Sequence, residues 1–412
     1  MDDILITNIK ALVQVRDEPL APLMGDSMQH LPLLHDAFLR LKNGRIADYG
    51  TMSELSDHSA TEVIDAADSF VFPTMVDAHT HLIFPASRED EFVMKIRGAS
   101  YAEIAAKGGG ILNSARKLAD TSEDELFESA AKRMNEIAST GTGAVEIKSG
   151  YGLTLEGELK MLRVARRLNS HTALAVKTTF LGAHAVPSGK SKPAYIREVV
   201  EEMIPAVASE QLADYIDVFC EDGFFSPDET ELILLAGMKY GMKARIHANQ
   251  LHRSGGVQVG VKVGAISVDH LENIGDEEIE ALKNSGVFAT ALPGAAFFLN
   301  LPMPPGRRLI DAGVPLVIAS DFNPGSSPTG NMMQMVALAC IRMRLTPEEA
   351  FNAVTVNAAC ALGLQQEYGS ITRGKAASVF ITKPVPSIAY LPYAFGSQLI
   401  DKVILRGKVI TS

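Results

Sequence analysis

Residues 70–82 read FVFPTMVDAHTHL, an apolar run that turns polar at its C-terminal end, where His79 and His81 stand two positions apart. Residues i and i+2 of a β-strand point to the same face, so both imidazoles can reach one metal ion from the end of such a strand. Two histidines at this spacing are a weak signal by themselves, because polar residues commonly close a strand. The residues at the ends of the other strands are therefore needed to decide whether this histidine pair binds a metal.

Seven further apolar runs have the length of short buried strands. They are GAVEIKSG, ALAVKTTFLGAH, YIDVFCEDG, KARIHANQ, AISVDHLE, VFATALPG and PLVIASDFN, starting at residues 143, 173, 215, 243, 265, 287 and 315. Helices are predicted between them, and Ser122, Ser226 and Thr346 each precede by three positions a glutamate that completes a capping box. Eight strands alternating with helices predict an α/β fold, a (β/α)₈ barrel of the TIM type.

Polar residues gather at the C-terminal ends of these predicted strands. They are His79, His81, Lys148, His184, Glu221, His247, His270 and Asp321. In a (β/α)₈ barrel those ends converge on one mouth, where active sites lie. An open, doubly wound sheet is the alternative, but it would spread the same residues along a line. The barrel is favoured because it brings five of the ten histidines to one place.

The two ends of the chain differ from the middle in their sequence pattern. Both contain short β-rich stretches, such as ILITNIKALVQV and KVILRGKVI, and Asn43-Gly44 predicts a hairpin. Neither end is long enough to make a stable sheet alone. We therefore expect residues 1–69 and 369–412 to form one small β-sandwich domain beside a barrel of residues 70–368.

The composition excludes some classes of partner. The chain has 412 residues, with 38 Lys and Arg against 49 Asp and Glu, a formal net charge of −11. A surface that acidic repels phosphate backbones and anionic lipids, so neither nucleic acid nor a membrane is an expected partner. A small anionic substrate is still compatible with this net charge, since the pocket that binds it can contain an arginine. The three scattered cysteines and the lack of a signal-peptide pattern favour the cytoplasm.

Four of the strand-end residues have the chemistry of a metal site. His79 and His81 on the first strand, His247 on the fifth and Asp321 on the eighth supply three imidazoles and one carboxylate. That set suits Zn²⁺, Fe²⁺ or Mn²⁺ and leaves a coordination position open for water. Agreement among three separate strands makes chance a poor explanation of the pattern.

This constellation resembles the amidohydrolase superfamily in its mononuclear form. Longer motifs resemble the imidazolonepropionase family within it: SREDEF, GASYAEIAAKGGGI, EIKSGYGL, LGAHAVP, HANQL, LPGAAFFL and SDFNPGSSP, which span almost the entire barrel. The resemblance implies a barrel with a β-sandwich built from both termini, one divalent metal ion per chain (zinc or iron), and a homodimer.

The resemblance also implies a reaction, the hydrolysis of 4-imidazolone-5-propanoate to N-formimidoyl-L-glutamate in the degradation of L-histidine. Water activated by the metal would attack the ring carbonyl. His270 would hydrogen-bond that water or stabilise the developing oxyanion. Asp321, besides binding the metal, would pass the proton of the water to the leaving ring nitrogen.

Seven residues are expected to bind this substrate. Arg88, in SREDEF, offers a two-pronged donor to the propionate carboxylate, and its alternative role is a surface ion pair with Glu89 or Asp90. The hydroxyl of Tyr151 can hydrogen-bond the ring or the tail, unless the ring only packs on its turn. The other five are His184, Gln250, Asn323, Gly325 and Ser326. For Gly325, a purely structural role in the turn that ends the strand is a serious alternative.

Two residues depart from patterns in related hydrolases. Some members of the resembling family have Glu where this chain has Gln250, and glutamine cannot act as a base, so we assign Gln250 to substrate hydrogen bonding. In two-metal amidohydrolases a carbamylated lysine, usually from the fourth strand, bridges the ions. Lys148 lies on the second strand and the fourth ends in Cys220-Glu221, so we expect a structural role for Lys148 beside a single metal.

Two other functions stay open on the sequence. Another mononuclear amidohydrolase, such as a nucleobase deaminase, shares the metal residues, although Arg88 favours a substrate that bears a carboxylate. A barrel without catalysis, serving as an assembly protein, is a rival from another class, but such proteins lose metal ligands and all four are present here. His and Asp ligands suit zinc and iron alike, so the pattern does not choose between these metals.

Overall fold

The structure is a computed structural model that describes residues 3–17, 21–99, 103 and 109–410. Two sheets organise these residues, one made from both ends of the chain and one from its middle. Among the described residues, none of the helices combines the length and the apolar character needed to cross a bilayer.

The sheet from the chain ends is mixed and has eight strands. Numbered along the chain, they are β1 (Asp3–Val13), β2 (Leu33–Lys42), β3 (Arg45–Thr51), β4 (Glu62–Asp65), β5 (Phe70–Pro73), β14 (Val379–Thr382), β15 (Ile400–Leu405) and β16 (Lys408–Ile410). Their order is β16-β15-β14-β5-β1-β2-β3, and β4 pairs with β1. Antiparallel pairing of β5 with β14 joins the two ends of the chain, which confirms that both termini build one β-structure.

The turn between β2 and β3 is formed by Asn43 and Gly44, as the sequence predicts. Their φ angles are 52° and 73°, the left-handed backbone that a two-residue hairpin turn requires. The carbonyl oxygen of Gly44 accepts a hydrogen bond from the amide of Ala377 at 2.9 Å. This hairpin turn therefore also contacts the segment that leads into β14.

The middle of the chain forms a sheet of eight parallel strands. They are β6 (Met75–Asp77), β7 (Thr142–Lys148), β8 (Ala175–Ala183), β9 (Tyr215–Cys220), β10 (Lys243–Ala248), β11 (Ser267–His270), β12 (Phe288–Ala291) and β13 (Leu316–Ile318). Each strand pairs with the next one along the chain. Each of the eight predicted runs contains or overlaps a barrel strand, which confirms the (β/α)₈ fold.

The barrel closes where the chain beyond β6 meets the chain beyond β13. Thr80 and Phe322 form a parallel bridge at this seam. The amide of His81 donates to the carbonyl of Phe322 at 3.0 Å, and the amide of Asp321 donates to the carbonyl of His79 at 3.0 Å. The backbone bonds that close the barrel therefore also fix three of the predicted metal ligands.

Residues 70–82 are not one barrel strand, contrary to the prediction. The amide of Thr74 donates to the carbonyl of Ser378, beside the terminal sheet, at 3.1 Å. The amide of the next residue, Met75, donates to the carbonyl of Gly141, just before β7, at 2.9 Å. The chain thus changes sheets between two consecutive residues. Both halves of the run are apolar because both are buried, so composition does not separate them.

Helices connect the barrel strands and continue after the last one. They span Glu89–Ile96, Ile111–Asp120, Glu123–Ser139, Leu155–His171, Lys192–Glu198, Ile204–Ser209, Pro227–Met238, Gly256–Val263, Asp276–Leu282, Pro293–Leu299, Gly306–Asp311, Met332–Met343, Pro347–Val354, Val356–Ala361 and Tyr390–Tyr393. A π-helical segment lies at Val199–Met203, and 3₁₀ segments lie at Gly25–Gln29 and Met52–Glu54. The predicted caps are present, because Ser122, Ser226 and Thr346 each accept a hydrogen bond from the amide three residues on.

Candidate active site

A cavity of about 690 Å³ opens at the C-terminal ends of the barrel strands, a size that suits a small molecule. Its lining contains every predicted site residue except His79, which is fully buried. The predicted residues in the lining are His81, Arg88, Tyr151, His184, His247, Gln250, His270, Asp321, Asn323, Gly325 and Ser326. The barrel therefore brings together in one place residues that the sequence scatters over most of its length.

Four predicted ligand atoms converge beside this cavity. Nε2 of His247 lies 3.2 Å from Nε2 of His81. Oδ1 of Asp321 lies 3.6 Å from the same His81 atom and 3.7 Å from Nε2 of His79. Ligand atoms arranged tetrahedrally at about 2.0–2.2 Å from a zinc ion are roughly 3.3–3.6 Å from one another. The observed spacing therefore fits one metal ion.

Buried aspartates fix the protonation of two of these histidines. Nδ1 of His79 lies 2.7 Å from Oδ2 of Asp269, and Nδ1 of His247 lies 2.9 Å from Oδ2 of Asp217. Because a carboxylate accepts, Nδ1 carries the proton in both rings and Nε2 presents a lone pair. Nε2 of His79 has no hydrogen-bond partner among the described residues, which fits a nitrogen that binds a metal.

Asp217 and Asp269, which hold two of the predicted metal ligands, were not predicted from the sequence. Both are fully buried inside strands, Asp217 in β9 and Asp269 in β11. A signal was available, because a charged residue within an apolar strand is costly unless it faces a partner. The sequence alone does not say which histidine each carboxylate meets, since that depends on the register between neighbouring strands.

Lys148 holds these aspartates instead of facing the cavity. Its Nζ lies 2.9 Å from Asp217 Oδ2, 2.9 Å from Glu146 Oε1 and 3.8 Å from Asp269 Oδ2. Burial by itself lowers the pKa of Lys148, but the carboxylates around it raise that pKa above the usual value. A charged ammonium neither forms a carbamate nor binds a cation, so these contacts support the structural role expected for Lys148.

His270 lies beside the ligand cluster and has an acidic partner of its own. Its Nδ1 is 3.3 Å from Oε1 of Glu272. Burial lowers the pKa of His270, but the charge and hydrogen bond of Glu272, together with the charges of Asp321 and Asp269, raise it above the usual value. Ring nitrogens of His79, His247 and His270 lie within 4.8 Å of one another, so distance alone would allow His270 to join a metal site.

His184 and Tyr151 form one side of the cavity, with ring centroids 5.6 Å apart. Nδ1 of His184 donates to the carbonyl of Gly150 at 3.0 Å, and burial lowers the pKa of His184 to about 3. The imidazole is therefore neutral with its proton on Nδ1, so Nε2 can only accept a hydrogen bond. The His184 ring also stacks on His81, with centroids 5.2 Å apart.

The turn after β13 is held by the side chain of Asn323. Its Oδ1 accepts from the amides of Gly325 and Ser326, both at 2.8 Å, and its Nδ2 donates to Ser326 Oγ at 2.7 Å. Ser326 Oγ in turn donates to Oδ2 of Asp321 at 3.3 Å. These bonds orient the Asp321 carboxylate so that its other oxygen faces the histidine nitrogens.

Arg88 lies against the same turn. Its Nε and Nη2 donate to Oε2 of Glu91, at 2.9 Å and 2.5 Å, so its ion pair is with Glu91 and not with Glu89 or Asp90. The guanidinium packs so closely on Gly325 that a Cβ there would lie 2.3 Å from Nη1. Gly325 therefore does more than end the strand, because only glycine allows this approach.

Several other residues of the cavity were not predicted. Phe92, Phe219, Phe224 and Phe298 give it apolar walls, and Lys95 adds a second cation near Arg88. Most of these residues lie in loops or short helices, whose position the strand pattern does not fix. Part of the motif GASYAEIAAKGGGI, at residues 100–102 and 104–108, lies outside the described residues.

Comparison with known proteins agrees with this geometry. Residues 70–410 match the amidohydrolase family. The chain is similar to the imidazolonepropionase of Flavobacterium johnsoniae, with 51% identity over 408 residues that cover 98% of this chain and 99% of that protein. It is equally similar to the imidazolonepropionase of Christiangramia forsetii, with 51% identity over 409 residues that cover 99% of this chain and 100% of that protein.

Solved structures agree on the fold. A triazine hydrolase variant superposes with a TM-score of 0.75 at 16% identity, covering 99% of this chain and 94% of that one. An adenosine deaminase from Xanthomonas campestris with bound zinc superposes with a TM-score of 0.70 at 16% identity, covering 99% and 92%. At this level of identity, both likenesses show the fold alone.

Proposed function

We propose that the chain, which belongs to the amidohydrolase family and within it to the imidazolonepropionases, hydrolyses 4-imidazolone-5-propanoate to N-formimidoyl-L-glutamate in the degradation of L-histidine. Membership of that family makes it a hydrolase that acts on the C–N bond of a cyclic amide. The observation that carries the proposal is a single cavity that joins the metal-ligand cluster to the guanidinium of Arg88. One end suits the ring amide and the other suits the propionate tail.

The residues that would hold one divalent ion, zinc or iron, are His79, His81, His247 and Asp321. The spacing of their ligand atoms and the bare Nε2 of His79 support this set. The aspartates behind two of the histidines support it as well, because ligating imidazoles usually donate their other nitrogen to a carboxylate or carbonyl. When bound, the ion supplies Lewis acidity, which polarises a carbonyl and lowers the pKa of water.

We assign proton transfer to Asp321 and His270. The Asp321 carboxylate takes a proton from the attacking water and returns it to the leaving ring nitrogen. His270, protonated beside Glu272, donates to the carbonyl oxygen as negative charge develops there. The bond that breaks is the ring amide C–N bond, and the oxygen of water stays in the new carboxylate.

Side chains that donate or accept hydrogen bonds would orient the ring and the tail of the substrate. Arg88 donates to the tail carboxylate. His184 accepts from a ring N–H through Nε2, since its Nδ1 is already bonded to Gly150. Burial raises the pKa of Tyr151, which keeps its hydroxyl protonated and able to donate. The side chain of Gln250 can both donate and accept, so it suits a heterocyclic amide.

The turn residues Asn323, Gly325 and Ser326 would contribute in two ways. They line the cavity, so their polar groups can contact the substrate. They also position other residues, because Ser326 holds Asp321 and Gly325 admits Arg88. We propose that both contributions place the tail of the substrate beside this turn, within reach of Arg88.

The direct test is turnover by the purified protein with its metal. The absorbance of the imidazolone ring should decay in the presence of the enzyme, a chelator should abolish the decay, and added zinc or iron should restore it. Nucleobases assayed in parallel for ammonia release should not react. Ammonia release from a nucleobase, with no turnover of the imidazolone, would favour the deaminase instead.

The proposal includes a homodimer that works in the cytoplasm on a small anionic substrate. Light scattering coupled to size-exclusion chromatography measures the mass of the particle. A dimer should show twice the chain mass of 44.2 kDa. A particle with the mass of one chain across the working concentration range would contradict the dimer without affecting the assigned reaction.

A further inference from the structure

We propose that Lys95 is a second binding residue for the tail carboxylate of the substrate, and that it supplies the net positive charge of that subsite while Arg88 supplies its geometry. This inference rests on the proposed function, because it assumes a substrate with one carboxylate on its tail. It concerns a residue that the sequence pattern did not single out.

The charge of Arg88 is already matched within the protein. Its guanidinium donates through Nε and Nη2 to Oε2 of Glu91, and the side chains of both residues are about nine-tenths buried, with 10% and 9% exposed. The other oxygen of Glu91 accepts from the amide of Gly110 at 3.0 Å. Arg88 and Glu91 therefore form a neutral pair, which orients the Nη1 edge but offers little net attraction to an anion.

Lys95 lies one helical turn after Glu91, in the helix Glu89–Ile96, and it lines the cavity. Its Nζ donates to the carbonyl oxygen of Gly325 at 3.2 Å. This is the glycine whose missing Cβ admits the guanidinium of Arg88. Both cations therefore contact the same residue, four positions after Asp321 in the chain.

Counted over the described side chains of Arg88, Glu91 and Lys95, the subsite carries an excess of one positive charge. Arg88 and Lys95 contribute two positive charges and Glu91 one negative charge, so the sum is +1. Burial and the nearby charge of Arg88 lower the pKa of Lys95, although the charge of Glu91 raises it. Phe92 and Phe298 stack at a centroid distance of 5.2 Å in the same cavity wall, and such apolar surroundings strengthen an ionic contact. One carboxylate would neutralise this subsite.

The test compares Lys95→Met with wild type on two substrates, the propionate acid and its tail amide. The loss of one charged, partly exposed partner should raise KM for the acid about tenfold, and kcat should stay near wild type. KM for the amide should change little, because the amide lacks the charge that Lys95 binds. Lys95→Arg should restore most of the affinity for the acid.

Arg97→Met is the matched control. Arg97 follows the same helix, is exposed and is not part of the cavity lining, so its change removes the same charge from the same region without touching the subsite. It should leave KM for the acid at the wild-type value. Equal loss in both variants would show a long-range effect of net charge and would overturn the assignment of Lys95.

Two further outcomes also contradict the proposal. A Lys95→Met enzyme with wild-type KM for the acid shows that Lys95 does not contact the tail. Equal increases of KM for acid and amide show a structural role only. Both outcomes leave the assigned reaction intact, whereas a wild-type enzyme that fails to hydrolyse the acid at all refutes the proposed function and this inference together.

Discussion

The amide of Asp321 donates to the carbonyl oxygen of His79 at 3.0 Å, so the last and first edges of the barrel are joined by a backbone bond between two residues of the candidate metal site. The same backbone bond therefore closes the barrel and holds two residues of the site together. His79 is fully buried at the end of its strand. Asp321 has a φ of 55°, a left-handed backbone conformation that is uncommon for residues other than glycine. Such backbone is typical of functional sites.

The aspartate behind His247 should control metal affinity. In Asp217→Asn the partner of His247 Nδ1 loses its charge, so the imidazole becomes a weaker ligand and is less firmly oriented. We expect metal affinity to fall about 10–100-fold, measured by competition with a chromophoric chelator. The exposed Asp228→Asn, on the helix Pro227–Met238, is the control and should bind metal like wild type. Unchanged affinity in Asp217→Asn would refute the orienting role.

Gly325 should be needed for binding the tail of the substrate. In Gly325→Ala the new Cβ would lie 2.3 Å from Nη1 of Arg88, so the guanidinium must move. We expect KM for the acid substrate to rise about tenfold or more, while KM for its tail amide changes less. The metal content should not change. Parallel losses for acid and amide would mean that the substitution distorts the turn as a whole.

His270 should act in the transition state. Its change to Ala should lower kcat about 10²–10³-fold, with KM close to wild type, because charge on the carbonyl oxygen appears only as the reaction proceeds. Metal content, measured by elemental analysis, should stay at the wild-type level. A His270→Ala protein that has lost its metal would make His270 a ligand, which the cluster of His79, His247 and His270 nitrogens makes geometrically feasible.

The sequence predicts one domain of residues 1–69 with 369–412 beside a barrel of 70–368, and truncation can test this division, with β5 assigned to the terminal sheet that it joins. Removal of residues 369–412 would take away β14, the antiparallel partner of β5, and leave that buried strand unpaired on one side. We expect a clear drop in the melting temperature of the whole protein. A control that lacks only residues 411 and 412 should melt like the full chain, and a truncated protein that also does so would contradict the proposal.

The sequence predicted the barrel and the clustering of polar side chains at its mouth because both depend on local patterns. Strand periodicity and polar strand ends are read from the chain itself, and they located His79, His81, His247 and Asp321. The sheet change at Thr74 was not predictable, because both flanking runs are apolar and buried.

Two further contacts of the site were not predicted, because they depend on how distant segments pack together. The pairing of Asp269 with His79 depends on how separate strands align across the barrel. The contact of Lys95 with Gly325 depends on how a helix packs against a distant turn. Such contacts belong to the tertiary structure, and a single sequence does not show which residues come into contact.

In the proposed reaction, water attacks the ring carbonyl and the amide C–N bond breaks. Its most direct test is turnover of 4-imidazolone-5-propanoate in H₂¹⁸O, with the product analysed by fragment mass spectrometry. The expected product is N-formimidoyl-L-glutamate with a single ¹⁸O in the carboxylate beside the substituted nitrogen, and no ammonia should be released. An ¹⁸O on the formimidoyl carbon, or ammonia released in step with substrate loss, would place the attack elsewhere and contradict the account.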